Sequence, residues 1–156
     1  MPKKSWRDKF ENPGKGLPKV VSGPSEWVKR FGGRKVLIAT PLLVDEVLQK
    51  IPKGRLITIK QIREKLAKDF KAEACCPLTT GIFLRIVSEV SEEDKKSGKK
   101  RITPYRRVVR ENGSLIDKFP GELKAQAKYL KEEGHKILSD KKVPRIKEFE
   151  KYLYEL

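Results

Sequence analysis

The chain has 156 residues, with 37 Lys and Arg against 21 Asp and Glu and a formal charge of +16. That length fits one compact domain with short extensions, and no apolar run approaches the roughly 18 residues a membrane span needs. The two cysteines are adjacent at Cys75-Cys76 and His135 is the only histidine, so no zinc-ligand set or His-based hydrolase motif is written here, and neither metal nor cofactor is expected. The basic start, Met1 to Lys9, has no apolar signal-type stretch behind it, so a cytoplasmic location is expected.

Residues 1–39 are rich in Gly and Pro and weak in periodicity. They read as a basic extended arm with a short helix around Ser25 to Phe31. Thr40-Pro41 is a helix start, a hydroxyl cap followed by Pro at the first helical position. Leu43, Val44, Val47, Leu48 and Ile51 then recur at helical spacing, until Pro52-Lys53-Gly54 ends the run. Thr58 with Gln61 three residues on is a capping box, and Ile59, Ile62, Leu66 and Phe70 form the apolar face behind it.

A turn at Ala74 to Pro77 precedes Thr79-Thr80 and the clearest helical stripe, Ile82, Phe83, Ile86, Val87 and Val90. That stripe is core, which leaves Thr79, Thr80 and Arg85 on the other face. Ser91 to Arg101 reads as a charged loop. Val108-Val109 and Leu115-Ile116 flank Asn112-Gly113, the strongest short signal for a β-hairpin. A helix runs from about Gly121 to Glu133 with Gly134 as its stop, and Val143 to Leu156 has the spacing for one more. The expected domains are 1–39 arm, 40–138 globular domain and 139–156 helical extension. The layout is mainly α with a small β-hairpin wing, similar to a winged helix-turn-helix.

The charge is clustered. The first 36 residues carry a basic excess, and Lys95, Lys96, Lys99, Lys100, Arg101, Arg106, Arg107 and Arg110 gather around the expected loop. Such clusters attract polyanions by releasing counterions; the competing reading is a solvated, solubilising surface. A small basic helical domain that binds DNA is the physical expectation, with no membrane partner.

Four segments in order carry a more specific resemblance. Ile51-Pro52-Lys53-Gly54 followed by Ile57-Thr58-Ile59-Lys60-Gln61-Ile62 is similar to the "IPxG…(S/T)YxxIA" entry of the O6-alkylguanine-DNA alkyltransferases. Pro104-Tyr105-Arg106-Arg107-Val108-Val109 stands where that family has "PCHRVV". Gly113-Ser114-Leu115 with Gly121, and Lys124 to Gly134, match the closing "G-x-L…G" and "K…LL…EG". The resemblance spans roughly residues 40–138 and lacks the family's separate N-terminal domain.

The resemblance implies an alkyltransferase C-terminal domain that binds duplex DNA in the minor groove and takes a flipped, alkylated guanine into a pocket. It also implies a dead transferase. Tyr105 replaces the acceptor cysteine and Arg106 the histidine; a phenol near pH 7 is protonated, and a guanidinium is no general base. The family tyrosine that rotates the nucleotide falls on Ile59, and its arginine finger on Thr80, with Arg85 one turn further. Glu133 sits at the relay glutamate. The alkyltransferase-like proteins also lack the cysteine, yet flag lesions for repair.

The expected DNA contacts are therefore Thr58, Thr79, Thr80, Arg85, Lys99, Lys100, Arg101 and Arg107, with capping as the rival role for the threonines. A structural role is the rival for Arg107, and a solvated loop the rival for Lys99 to Arg101. The lesion pocket is expected at Tyr105, Arg106 and Glu133. There Tyr105 either stacks on an extruded base or plugs a vestigial cavity, and Arg106 either pairs with Glu133 or meets a phosphate. Cys75 and Cys76 read as buried small hydrophobes, with a relocated methyl acceptor as the enzyme alternative. His135 is expected on the surface. The leading expectation is a non-catalytic binder of duplex DNA, O6-alkylguanine DNA included, with a repair protein as partner. An RNA- or protein-binding module is the remaining rival.

Overall fold

The computed structural model describes residues 3–156; Met1 and Pro2 of the expected arm lie outside the described residues. Ser5 starts helix α1 (Trp6–Glu11) by accepting the Asp8 amide at 3.0 Å. Strand β1 (Lys19–Ser22), helix α2 (Glu26–Phe31) and strand β2 (Lys35–Ile38) follow. Helix α3 (Pro41–Leu48) begins at the expected cap, with Thr40 accepting the Leu43 amide. Strand β3 (Ile57–Thr58) runs into α4 (Ile59–Asp69). The capping box there is complete: the Gln61 amide donates to Thr58 Oγ1 at 3.1 Å, and the Thr58 amide donates to Gln61 Oε1 at 2.9 Å.

Strand β4 (Ala74–Cys75) pairs parallel with β2, which pairs antiparallel with β1, giving a three-stranded sheet in the order β1-β2-β4. Helix α5 (Pro77–Lys96) is the central strut. Its Phe83, Leu84, Ile86, Val87 and Val90 are buried with Val44, Leu48, Ile62 and Leu66 of α3 and α4. A 3-10 turn at Tyr105–Arg107, strand β5 (Val108–Val109), helix α6 (Glu122–Glu132), strands β6 (Ile137–Leu138) and β7 (Arg145–Ile146), and a 3-10 turn at Phe149–Tyr152 complete the chain. Around Leu56, Val109, Leu115, Leu130 and Ile146 lies a second, smaller core. The architecture is mainly helical with small sheets.

Five sequence readings are corrected. The arm is folded: β2 buries Val36 and Leu37, and α1 packs Trp6 and Phe10 onto the main core. The glycines there separate short elements, as where left-handed Gly32 stops α2. The charged stretch from Ser91 is not a loop until Ser97, because α5 continues to Lys96; the Ser91 hydroxyl turns inward to the Val87 carbonyl at 2.7 Å.

The Asn-Gly turn forms, but not the hairpin. Val108-Val109 pairs parallel with Ile57-Thr58, and Leu115 gives its amide to the Pro144 carbonyl. The returning limb thus pairs with the tail instead of with β5. Gly113 has φ +81°, and a Cβ there would sit 2.4 Å from the Phe149 ring. The tail is not a long helix either. Its Tyr152 carbonyl and Tyr154 amide bracket the backbone of Leu56, so its apolar residues reach the second core from a short strand and a 3-10 turn.

His135, expected on the surface, is 4% exposed, edge-on to Tyr152 at 4.8 Å, and its two ring nitrogens have no hydrogen-bond partner among the described residues. Burial lowers its pKa; Glu133 pulls it back up, and Arg107 pushes it further down. The unfolded chain therefore takes up a proton near the ordinary value of about 6.5 while the folded chain resists. Stability is full above that pH and is lost as pH falls below it. Urea midpoints should drop from pH 7.5 to pH 5.5, and His135→Phe should flatten that dependence.

Candidate nucleic-acid interface

Tyr105 begins the 3-10 turn, and it is 1% exposed. Its ring meets Phe119 edge-on at 5.0 Å and Tyr129 at 6.4 Å. The hydroxyl donates to Glu92 at 2.9 Å, a carboxylate that also accepts from the Tyr129 hydroxyl. Burial, then the Glu92 charge, pushes the phenol pKa far up. Tyr105 is a neutral donor that fills its cavity: of the two roles expected for it, the plug is present and the ring is not open for stacking on an extruded base.

Beside it, Arg106 Nε donates to Glu133 Oε2 at 2.5 Å, and its guanidinium lies 5.3 Å from the Tyr129 ring. Arg107 Nε donates to Glu133 Oε1 at 2.8 Å, and its Nη1 to the Ile51 carbonyl at 2.6 Å. Burial alone would raise the Glu133 carboxyl, but the hydrogen bonds from Arg107 and Arg106 outweigh it and hold the pKa below the usual range. The expected pairing of Arg106 with Glu133 is present. Arg107, buried and bonded on both sides, holds the turn in place and is not free for a phosphate.

The threonines are also internal. Thr58 is spent on its cap, and Thr80 is wholly buried, donating to the Cys76 carbonyl at 2.7 Å. Thr79 is half-buried and bonds the same carbonyl. Neither Thr58 nor Thr80 offers a hydroxyl to DNA, which corrects that assignment. Cys75 lies in the core 3.4 Å from the Thr80 hydroxyl; burial raises its thiol pKa more than Thr80 lowers it, so a reactive thiolate is disfavoured.

What α5 does expose is its N-terminal face. Leu78 is 70% exposed, and Ile82, expected in the core stripe, is 51% exposed because the buried face runs through Phe83 and Leu84 instead; a Cβ added at Gly81 between them would meet nothing within 4 Å. Next to this face Trp6 of α1 sits under two cations, Lys9 Nζ at 4.5 Å and the Arg85 guanidinium at 5.3 Å from its ring. A groove of about 670 Å³ opens here. Its apolar lining includes Trp6, Ile59, Ile82, Ile116 and Phe119. Lys4, Lys9, Arg85, Arg110 and Lys118 supply its charge, with no carboxylate in the lining. Sequence reasoning found Arg85 but missed Trp6 and Lys118, which only the fold brings to α5. A larger hollow of about 940 Å³, between the loop after α1 and the start of α3, gathers no such cationic set.

Lys99, Lys100 and Arg101 are exposed but lie elsewhere, in a groove of about 850 Å³ beside α3 and the C-terminal half of α5. From Leu78 to Asp94 the helix advances about 24 Å at about 1.5 Å per residue. The expected DNA contacts therefore divide between two faces.

No family model matches the chain, and no curated protein matches it. Among solved structures, it is similar to S. pombe Atl1 in complex with damaged DNA containing O6-carboxymethylguanine, at 17% identity and a TM-score of 0.51. It is similar as well to S. pombe ATL in complex with DNA, at 18% identity and a TM-score of 0.52. Each comparison covers 74% of this chain and 94% of the other. The chain has the alkyltransferase-like fold.

Removing Glu133 leaves two guanidiniums facing each other. Glu133→Gln should cost about 3 kcal/mol, read as a lower urea midpoint at unchanged m-value, whereas Arg106→Gln, which leaves the Arg107 bonds, should cost clearly less.

Proposed function

We propose that the chain is a non-catalytic DNA-binding protein that recognises damaged duplex DNA, O6-alkylguanine included, and marks it for repair. The observation that carries the reading is the α5 groove: five cations around an apolar floor, with no carboxylate in its lining and only Arg110 near one, 3.6 Å from Asp117 at the rim. Phosphates of a duplex supply the complementary charge, and Trp6 and Ile82 offer the kind of apolar surface on which an unstacked base packs. The structural neighbours, crystallised with DNA, support DNA as the ligand. The turn at Arg110 to Ser114 takes the place of a wing, with Arg110 turned to the groove.

Absence of catalysis rests on side-chain chemistry. The acceptor position holds a buried phenol, the base position a guanidinium engaged by Glu133, and Cys75 is a buried thiol. A lesion held without being repaired must pass to another protein, which is the repair partner the reading calls for.

Fluorescence anisotropy with one duplex, carrying guanine or O6-methylguanine at its centre, tests this. The modified duplex should bind about tenfold tighter, an aromatic stacking contribution of about 1–3 kcal/mol, and Trp6→Ala should erase that preference. Arg85→Gln should weaken both duplexes alike and lower the salt slope by about one. Affinity no better than that of a charge-matched control protein would sink the reading. Intact-mass spectrometry after incubation with the modified duplex should show no added methyl; a methyl on Cys75 or Cys76 would reinstate the enzyme.

A further inference from the structure

We infer a second phosphate-binding groove, anchored by Arg106 and separate from the α5 N-terminal face, that holds a further stretch of nucleic-acid backbone. It lies between α3, the C-terminal half of α5 and the loop before Pro104. Helix α1 divides the two grooves: Trp6 and Lys9 line the first, Arg7 and Phe10 the second.

Arg106 is built as an anchor. Glu133 takes its Nε at 2.5 Å, Tyr129 lies 5.3 Å from its guanidinium, and its side chain is 17% exposed. Its two terminal nitrogens have no hydrogen-bond partner among the described residues and belong to a side chain that lines the groove. A guanidinium fixed in this way presents a planar pair of donors at little entropic cost, the geometry that suits phosphate oxygens. Behind it two guanidiniums share one carboxylate, which leaves one positive charge in excess.

The rim adds to it. Lys53, Lys100 and Arg101 are exposed and have no salt-bridge partner among the described residues. The groove's two carboxylates are already engaged. Asp94 is paired with Arg7 and lies 3.5 Å from Lys99, and Asp45 accepts from the Thr103 hydroxyl and the Gln49 amide, each at 2.5 Å. A phosphodiester is the ligand that meets an anchored fork and three unpaired cations spread along a groove.

The inference rests on the DNA-binding reading above, and the two fail differently. Anisotropy with an undamaged duplex across a salt series compares two triple variants. Lys53→Gln/Lys100→Gln/Arg101→Gln should weaken binding about tenfold or more at low salt and lower the salt slope by about two to three. It should do so on top of Arg85→Gln/Arg110→Gln/Lys118→Gln. Arg106→Gln should lower the slope by about one more; Arg106→Lys, which keeps the charge, should restore the slope but not the full affinity.

An unchanged affinity and slope in the Lys53, Lys100 and Arg101 variant, while the α5 variant loses both, would overturn the second groove and leave the first standing. Wild-type affinity no better than the charge-matched control would remove both. Inorganic phosphate supplies the remaining arm. If it shifts the Arg106 side-chain nitrogen resonances and the duplex does not, the groove takes a small phosphate compound, and the nucleic-acid assignment is wrong.

Discussion

Glu133 caps the C-terminal end of α6, where a negative charge meets the negative end of the helix dipole. It is tolerable there because two guanidiniums converge on it, and the arrangement fixes far more than one carboxylate. Arg107 carries the link onward to the Ile51 carbonyl at the end of the α3 segment. The same residue sets the turn that buries Tyr105, and through Gln126, whose amide donates to the Arg106 and Val108 carbonyls, α6 holds that turn a second time. Three elements distant in sequence meet around one charge cluster.

This cluster also holds the turn by electrostatics. A histidine in the same place would trade a proton with the carboxylate; an arginine keeps its charge at any biological pH. The ion pair is therefore permanent. Tyr105, packed edge-on against Phe119 and Tyr129, closes the space beside it. The surfaces that face outward beside it, in both grooves, are cationic.

What could be read from the sequence was what the chain decides locally. The Thr58–Gln61 capping box, the Thr40-Pro41 start, the α5 stripe apart from Ile82, and the Gly134 stop each depend on neighbours within a few residues. The errors came from partners far away. Val108-Val109 looked like half of a hairpin because Asn-Gly sits beside it, yet its ladder partner is Ile57-Thr58. The tail had helical spacing, but the open backbone of Leu56 captured it first. The site divided in the same way: Arg106 with Glu133 followed from the motif, while Trp6 entered through the docking of α1 and no local pattern announced it. Thr58 and Thr80 show the converse case, since hydroxyls at helix starts satisfy amides and carbonyls of their own chain before they meet a ligand.

The capture of Leu56 by Tyr152 and Tyr154 has a bearing on how the molecule is made. Gln61 donates to the Tyr154 carbonyl across 93 positions, so the second core stays open until Tyr154 has left the ribosome. A helical protein of this size would ordinarily fold from short-range contacts as it emerges. Here the helices can assemble early, but the apolar face around Leu56, Val109 and Leu130 waits uncovered for the tail. During synthesis that face is the natural place for a chaperone to hold.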